Sequence, residues 1–269
     1  MSKNIDLNNT IAKIKDFISL SLKKSGLNGY VIGLSGGIDS ALSASLAIEA
    51  VGKDKVFGLI MPYRTSSDNS EKDAMALIEK TGIEYQKIEI SPMIDAYYNR
   101  IDEHNRLRAG NKMARERMSV LFDVAHEKNL MVLGTGNRTE ICLGYTTWYG
   151  DSACSINPIG ELYKTEVRQI ARILGVPDQI IIKAPSADLW AGQTDEGEIG
   201  VLYEMIDLIL GSIIDDGITS RKELKDLCYS ENDIKQVVKL LNKNAFKRSL
   251  PEIADLGRNI IPPSITLKD

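Results

Sequence analysis

The stretch 34-LSGGIDSALS-43 places two glycines, two serines and one aspartate between an apolar run and a helix-like run. Gly36 and Gly37 allow a tight turn and close backbone approach. The helix that starts near Ser40 would turn its first N–H groups toward an anion. The hydroxyls of Ser35 and Ser40 add donors for phosphate oxygens. Asp39 is repulsive beside a phosphate unless a cation stands between them. Mg²⁺ is the natural one, because it takes carboxylate and phosphate oxygens together. The loop lacks the lysine that a Walker loop extends to β- and γ-phosphates.

A second carboxylate, Glu140, lies a few residues beyond the apolar run at Leu130–Gly134. Two carboxylates at adjacent strand ends could share one Mg²⁺ between themselves and phosphates. Lys164, in 161-ELYKTE-166, reads on its own as a solvated lysine at a helix start. The three cysteines show no CxxC spacing and there are only two histidines, so a structural zinc site is not expected. No Cys–His or Ser–His pair for nucleophilic catalysis is apparent.

The elements that must position these groups alternate along the chain. Strand-like runs cover Tyr30–Leu34, Lys55–Met61, Tyr85–Ile90 and Leu130–Gly134. Helix-like runs cover about Ser40–Val51, Ser67–Thr81 and Lys112–Lys128. Further helices are expected in 165–175, 198–211, 219–227 and 231–244, which makes the C-terminal segment helical. Such alternation implies βαβ units and a doubly wound parallel sheet with helices on both faces. Ligands then bind beyond the C-terminal strand ends. Every glycine-rich or polar cluster here follows a strand candidate.

Composition narrows the function class. Hydrophobic residues make up 43% and charged residues 26%, as in ordinary globular proteins. No run approaches the roughly 18 apolar residues of a membrane span. The first residues have no signal-peptide core, so a cytoplasmic protein is expected. A net charge of −4, with cations spread throughout, argues against a nucleic-acid-coating protein.

SGGIDS resembles the pyrophosphate-binding loop of the N-type ATP pyrophosphatases. That resemblance implies cleavage of ATP between the α- and β-phosphates, with an adenylated intermediate. In place of the Walker lysine's role, the loop would cradle a leaving pyrophosphate. Four further segments narrow it: 110-GNKMARERMSVLFDVA-125, 133-LGTGNRTEICLGYTTWYGDSACS-155, 185-PSADLWAGQTDEGEIG-200 and 245-AFKRSLP-251. All are similar to segments of the NAD synthetase family, in that family's order, over essentially the whole chain. The resemblance implies one domain over residues 1–269, with an adenine nucleotide alpha hydrolase-like fold and a five-stranded sheet. It also implies a C–N bond-forming ligase that makes NAD, AMP and pyrophosphate from ATP, deamido-NAD and ammonia, with Mg²⁺.

By the same resemblance ATP is bound by Gly33, Leu34, Ser35, Gly36, Gly37, Ile38, Asp39, Ser40, Thr135, Lys164 and Ser186. Asp39 and Glu140 hold the metal, and Asp39 and Lys164 are catalytic. The dinucleotide contacts fall on Arg117, Trp148, Ser155, Phe246 and Lys247, with Arg115 as an alternative to Arg117. Many members carry a lysine and an aspartate where this chain has Trp148 and Ser155, and a histidine where it has Phe246. Trp148 is expected to stack on a ring or to pack. Only about 30 residues precede the first strand, so a glutamine-hydrolysing domain is not expected and ammonia is the expected nitrogen source. Residues 186–200 are read as a lid over ATP. A homodimer is expected, with no nucleic acid or membrane partner.

Overall fold

The computed structural model describes residues 6–99, 105–186 and 192–257. Four strands form one all-parallel sheet: β1 (Gly29–Gly33), β2 (Val56–Ile60), β3 (Glu84–Lys87) and β4 (Leu130–Val132), in the order β3-β2-β1-β4. Side chains alternate along the central pair. Tyr30, Ile32, Val56 and Ile60 enter one core, whereas Val31, Phe57 and Leu59 enter another on the opposite face. Burial on both faces is why these strands read as unbroken apolar runs rather than as alternating ones.

The helices between the strands supply the covering layers. In chain order they are α1 (Leu7–Ser25), α2 (Ile38–Val51), α3 (Asp68–Thr81), α4 (Ser91–Tyr98), α5 (Arg106–Lys128), α6 (Arg138–Leu143), α7 (Lys164–Ile173) and α8 (Asp178–Ile182). Then come α9 (Asp195–Ile199), α10 (Tyr203–Ile214), α11 (Arg221–Asp226) and α12 (Glu231–Lys243). Helices α1, α2, α3, α7 and α8 pack on the Tyr30 face, and α4 and α5 on the Val31 face. Helices α6, α10, α11 and α12 build a third core around Tyr203 and Leu210. No helix among the described residues is long and apolar enough to cross a membrane.

The sheet has four strands, not the expected five. Beyond β4 the chain returns at Ile156 for one parallel bridge to Leu133. Gly134 N–H donates to the Ile156 carbonyl at 2.8 Å, and Ser155 N–H to the Val132 carbonyl at 2.8 Å. Pro158 then has no N–H to give, so the ladder stops after that bridge. The expected helix over 198–211 is also divided. Gly200, at φ +79°, ends α9, and α10 begins at Tyr203.

Candidate active site

Strand order sets the location. The chain runs from β1 outward through β2 to β3, then returns to the other side of β1 as β4. Connections leaving β1 and β4 diverge, and the crevice between them is where open α/β sheets bind ligands. The loop after β1 carries Ser35 to Ser40, and the loop after β4 carries Thr135 to Glu140.

Gly36 has φ +73°, and a Cβ there would stand 2.1 Å from the Ser70 carbonyl oxygen. Only glycine fits both constraints. Within the loop Gly37 N–H donates to Ser35 Oγ at 3.2 Å, and Ser40 Oγ donates to the Gly37 carbonyl at 3.0 Å. Gly37 caps α2 without a side-chain acceptor, so the first N–H groups of this 14-residue helix face the crevice with no side-chain cap.

Asn137 joins the two loops. It is fully buried, and its Nδ2 donates to Asp39 Oδ1 at 2.8 Å. Its Oδ1 caps α6 by accepting from Glu140 N–H at 3.0 Å, while its own N–H donates to Glu140 Oε2 at 3.3 Å. This reciprocal capping box fixes the Glu140 carboxylate. One amide thus orients both expected metal ligands.

Lys164 enters from the first turn of α7, only 2% exposed. Its Nζ lies 2.5 Å from Asp39 Oδ2 and 3.3 Å from Glu140 Oε1, and 5.1 Å from the centre of the Tyr203 ring. Its backbone is registered too. Lys164 N–H donates to Thr139 Oγ1, whose hydroxyl donates to Asp207, and Asp207 also accepts from Thr165 N–H. Asp195 completes the surroundings, accepting from the Tyr145 and Tyr203 hydroxyls at 3.2 Å each.

Electrostatics follow from that crowding. Burial pushes the Glu140 carboxyl up to about 8, with Asp39 and Asp195 adding to the rise and Lys164 opposing it. Burial works against the Lys164 ammonium, yet Asp39 and Glu140 hold its pKa above the ordinary lysine value. Burial also raises Asp195. Three carboxylates therefore face one ammonium.

That surplus of hard, oriented oxygens fits a divalent cation such as Mg²⁺. Among the described residues no cluster of three or more His, Cys, Asp or Glu forms a ready-made metal cage. Two carboxylates plus phosphate oxygens and water is the arrangement Mg²⁺ ordinarily takes beside a nucleotide.

The residues expected at the dinucleotide form a second group past the C-terminal end of α6. Trp148 stacks on Tyr149, centroids 4.6 Å apart, and meets Phe246 edge-on at 5.2 Å. Lys247 donates to the carbonyls of Gly144 and Thr146, at 2.8 and 2.7 Å, which docks the 245-AFKR-248 turn on this loop. Arg115 Nε donates to the Trp148 carbonyl at 3.2 Å, whereas Arg117 Nε donates to the Met61 carbonyl beyond β2 at 2.9 Å. Of the two arginines, Arg115 is the one beside Trp148. Ser155 Oγ accepts from Val132 N–H at 3.1 Å, at the end of β4.

Thr135 follows β4 in the crevice, and Ser186 ends the described segment after α8. Of the expected lid, residues 187–191 lie outside the described residues. The rest includes α9, which is anchored by Ile199 in the third core. No motif or spacing in the sequence marks Asp195, Tyr203 or Asp207. For Asn137 a signal existed: 137-NRTE-140 is a capping-box spacing.

Fold and site together define a doubly wound α/β protein with a glycine turn at a helix N-terminus and a carboxylate–lysine cluster at the switch point. The NAD synthase family profile matches residues 10–251. An NH(3)-dependent NAD(+) synthetase of Fusobacterium nucleatum subsp. nucleatum is 42% identical over 255 residues, covering 95% of this chain and 98% of its own. Among solved structures, an NMN synthetase from Francisella tularensis superposes with a TM-score of 0.84 at 35% identity, over 94% of this chain and 100% of its own. An NH3-dependent NAD synthetase from Campylobacter jejuni gives 0.79 at 36% identity, over 93% and 100%. The chain belongs to the NAD synthase family.

Proposed function

We propose that this protein is a ligase that amidates deamido-NAD with ammonia, consuming ATP and giving NAD, AMP and pyrophosphate. The observation that carries the reading is the Asp39–Asn137–Glu140–Lys164 cluster beside a phosphate-sized loop, in a chain 42% identical to an NH(3)-dependent NAD(+) synthetase.

The nicotinate carboxylate must be activated, because its oxygen is a poor leaving group at neutral pH. It attacks the α-phosphorus of ATP, pyrophosphate departs, and ammonia then displaces AMP from the acyl carbon. The loop Gly33–Ser40 receives the leaving pyrophosphate on backbone N–H groups and the Ser35 and Ser40 hydroxyls. Lys164 supplies a positive charge where the leaving oxygens become more negative, from a site that needs no rearrangement at that moment. Asp39 and Glu140 would hold Mg²⁺, which when bound offsets phosphate charge. Thr135 and Ser186 hold ATP from the other loops. Arg117, Trp148, Ser155, Phe246 and Lys247 hold the dinucleotide, with Arg115, which donates to the Trp148 carbonyl, as the alternative to Arg117. This reading includes a cytoplasmic homodimer that binds neither nucleic acid nor membrane.

A second acceptor has a specific observation behind it. The aromatic trio Trp148, Tyr149 and Phe246 occupies the end where many relatives present charged groups, and a synthetase of NMN superposes closely. A mononucleotide acceptor would undergo the same chemistry. The test is to mix the protein with ATP, Mg²⁺, ammonium and either deamido-NAD or nicotinate mononucleotide, and to separate the products. NAD and AMP in equal amounts are expected. AMP formed only with the mononucleotide would transfer the assignment to the second reading, and no acceptor-dependent AMP would refute both.

A further inference from the structure

The phosphate loop has no lysine of its own, yet an ammonium touches it from outside. Lys183, just after α8, places its Nζ 3.4 Å from the Gly36 carbonyl, 3.1 Å from Ser70 Oγ and 2.8 Å from Asp73 Oδ2. The three acceptors match the three donors of an ammonium. Gly36 and Lys183 are 147 positions apart in sequence. We infer that Lys183 is a positioning residue for ATP use: it fixes the orientation of the Gly36–Gly37 peptide unit, and with it the Ser35 hydroxyl and the start of α2 that would receive pyrophosphate. The inference rests on the loop's proposed role in binding pyrophosphate.

The physical reason lies in the glycines. A peptide plane flanked by two glycines is the least restrained in a loop, because no Cβ opposes its rotation. Here the plane is held at both ends. Its carbonyl faces the Lys183 ammonium, and its N–H donates to Ser35 Oγ. The planar trans peptide makes the two restraints act on one rigid unit. A cation on the carbonyl also polarises the unit, which strengthens the Gly37 N–H bond to Ser35 Oγ and so holds the hydroxyl expected to face phosphate. The loop is meanwhile pressed on α3 at Gly36, so Lys183, α3 and the loop form one rigid block.

Charge adds a second reason. Asp73 is buried at 9% exposure, in the turn of α3 below the loop. With Lys183 beside it that carboxylate is neutralised, whereas alone it would repel a polyphosphate. Lys183 also lies three residues before Ser186, so one ammonium ties the segment leading to an expected ATP contact to the loop itself.

The test compares Lys183→Met and Lys183→Arg with the parent enzyme. Three quantities are read: inhibition by Mg-pyrophosphate, KM for ATP and KM for deamido-NAD. Lys183→Met should raise the pyrophosphate inhibition constant and KM for ATP about tenfold or more, the loss expected for a charge-assisted hydrogen bond. KM for deamido-NAD should stay within about twofold. Lys183→Arg should recover most of the loss, and Asp73→Asn, which keeps the ammonium on Gly36, should weaken pyrophosphate less than Lys183→Met. If the parent binds Mg-pyrophosphate and Lys183→Met binds it equally well, the inference is wrong. If Lys183→Met weakens both substrates alike with a fall in melting temperature, Lys183 is only structural and the inference is again wrong. A parent that does not bind Mg-pyrophosphate refutes the loop assignment instead.

Discussion

Replacing Lys164 by methionine removes a buried charge while keeping most of the side-chain volume. The ammonium has carboxylate oxygens at 2.5 and 3.3 Å. With an effective dielectric constant near 20, each unit-charge pair at about 3–4 Å is worth about 4–5 kcal/mol. Repulsion between the two carboxylates, and the ease with which Glu140 takes up a proton, offset part of the loss. The net cost should be about 3–5 kcal/mol, the range for removing one partner of a buried pair. With a urea m-value of about 3 kcal/mol/M, the unfolding midpoint should fall by roughly 1–1.7 M. Turnover should fall about 10²–10³-fold, because a fixed charge aimed at the leaving group is lost. Adding Glu140→Gln should restore about 1–3 kcal/mol of stability by removing an orphaned carboxylate, without restoring turnover. Turnover of Lys164→Met within about threefold of the parent, or additive effects of the two substitutions on stability, would refute the coupling of Lys164 to Asp39 and Glu140.

Three further outcomes follow from the same geometry. Gly36→Ala forces a Cβ toward the Ser70 carbonyl oxygen at 2.1 Å with φ at +73°, so the loop must move. It should cost about 1–2 kcal/mol for the left-handed backbone and about 100-fold or more in kcat/KM for ATP, read by urea unfolding and steady-state kinetics. Asn137→Ala removes a helix cap and the tether between Asp39 and Glu140. It should cost about 1 kcal/mol of stability from the cap, and about 10–100-fold in the Mg²⁺ concentration giving half-maximal rate. Glu140 binds its proton more tightly folded than unfolded, so its contribution to stability is complete below about 4.5 and is lost as pH rises through about 8. Melting temperature without Mg²⁺ should therefore fall across that window, and Glu140→Gln should flatten the fall.

Much of the frame could be read along the chain because its signals are local. Tyr30 to Gly33, Gly36, Asp39 and Ser40 lie in one strand–turn–helix unit, and their types alone describe an anion loop. Glu140 was legible from its place beyond β4. The fifth strand failed because a single residue, Pro158, decides where the ladder ends. The split between α9 and α10 turned on Gly200 inside an otherwise helical pattern. Lys164 reads as a surface lysine, since nothing near it in sequence reveals that its ammonium meets Asp39, 125 positions away. Lys183, Asp195 and Asp207 were silent for the same reason. Their partners are set by how α3, α8 and α10 dock, and no spacing rule along one element reports that.

The bond between Asn137 and Asp39 spans 98 positions and joins the loop after the edge strand β4 to that after the central strand β1. Long-separated contacts form slowly, because chain closure must be paid for in entropy before they contribute. A folding chain that has assembled β1, β2 and β3 has the residues of the loop but not Asn137, Glu140, Lys164 or Lys183, which hold its groups in place. Refolding should therefore regain neither tight pyrophosphate binding nor turnover until β4 and the segments that follow it have docked.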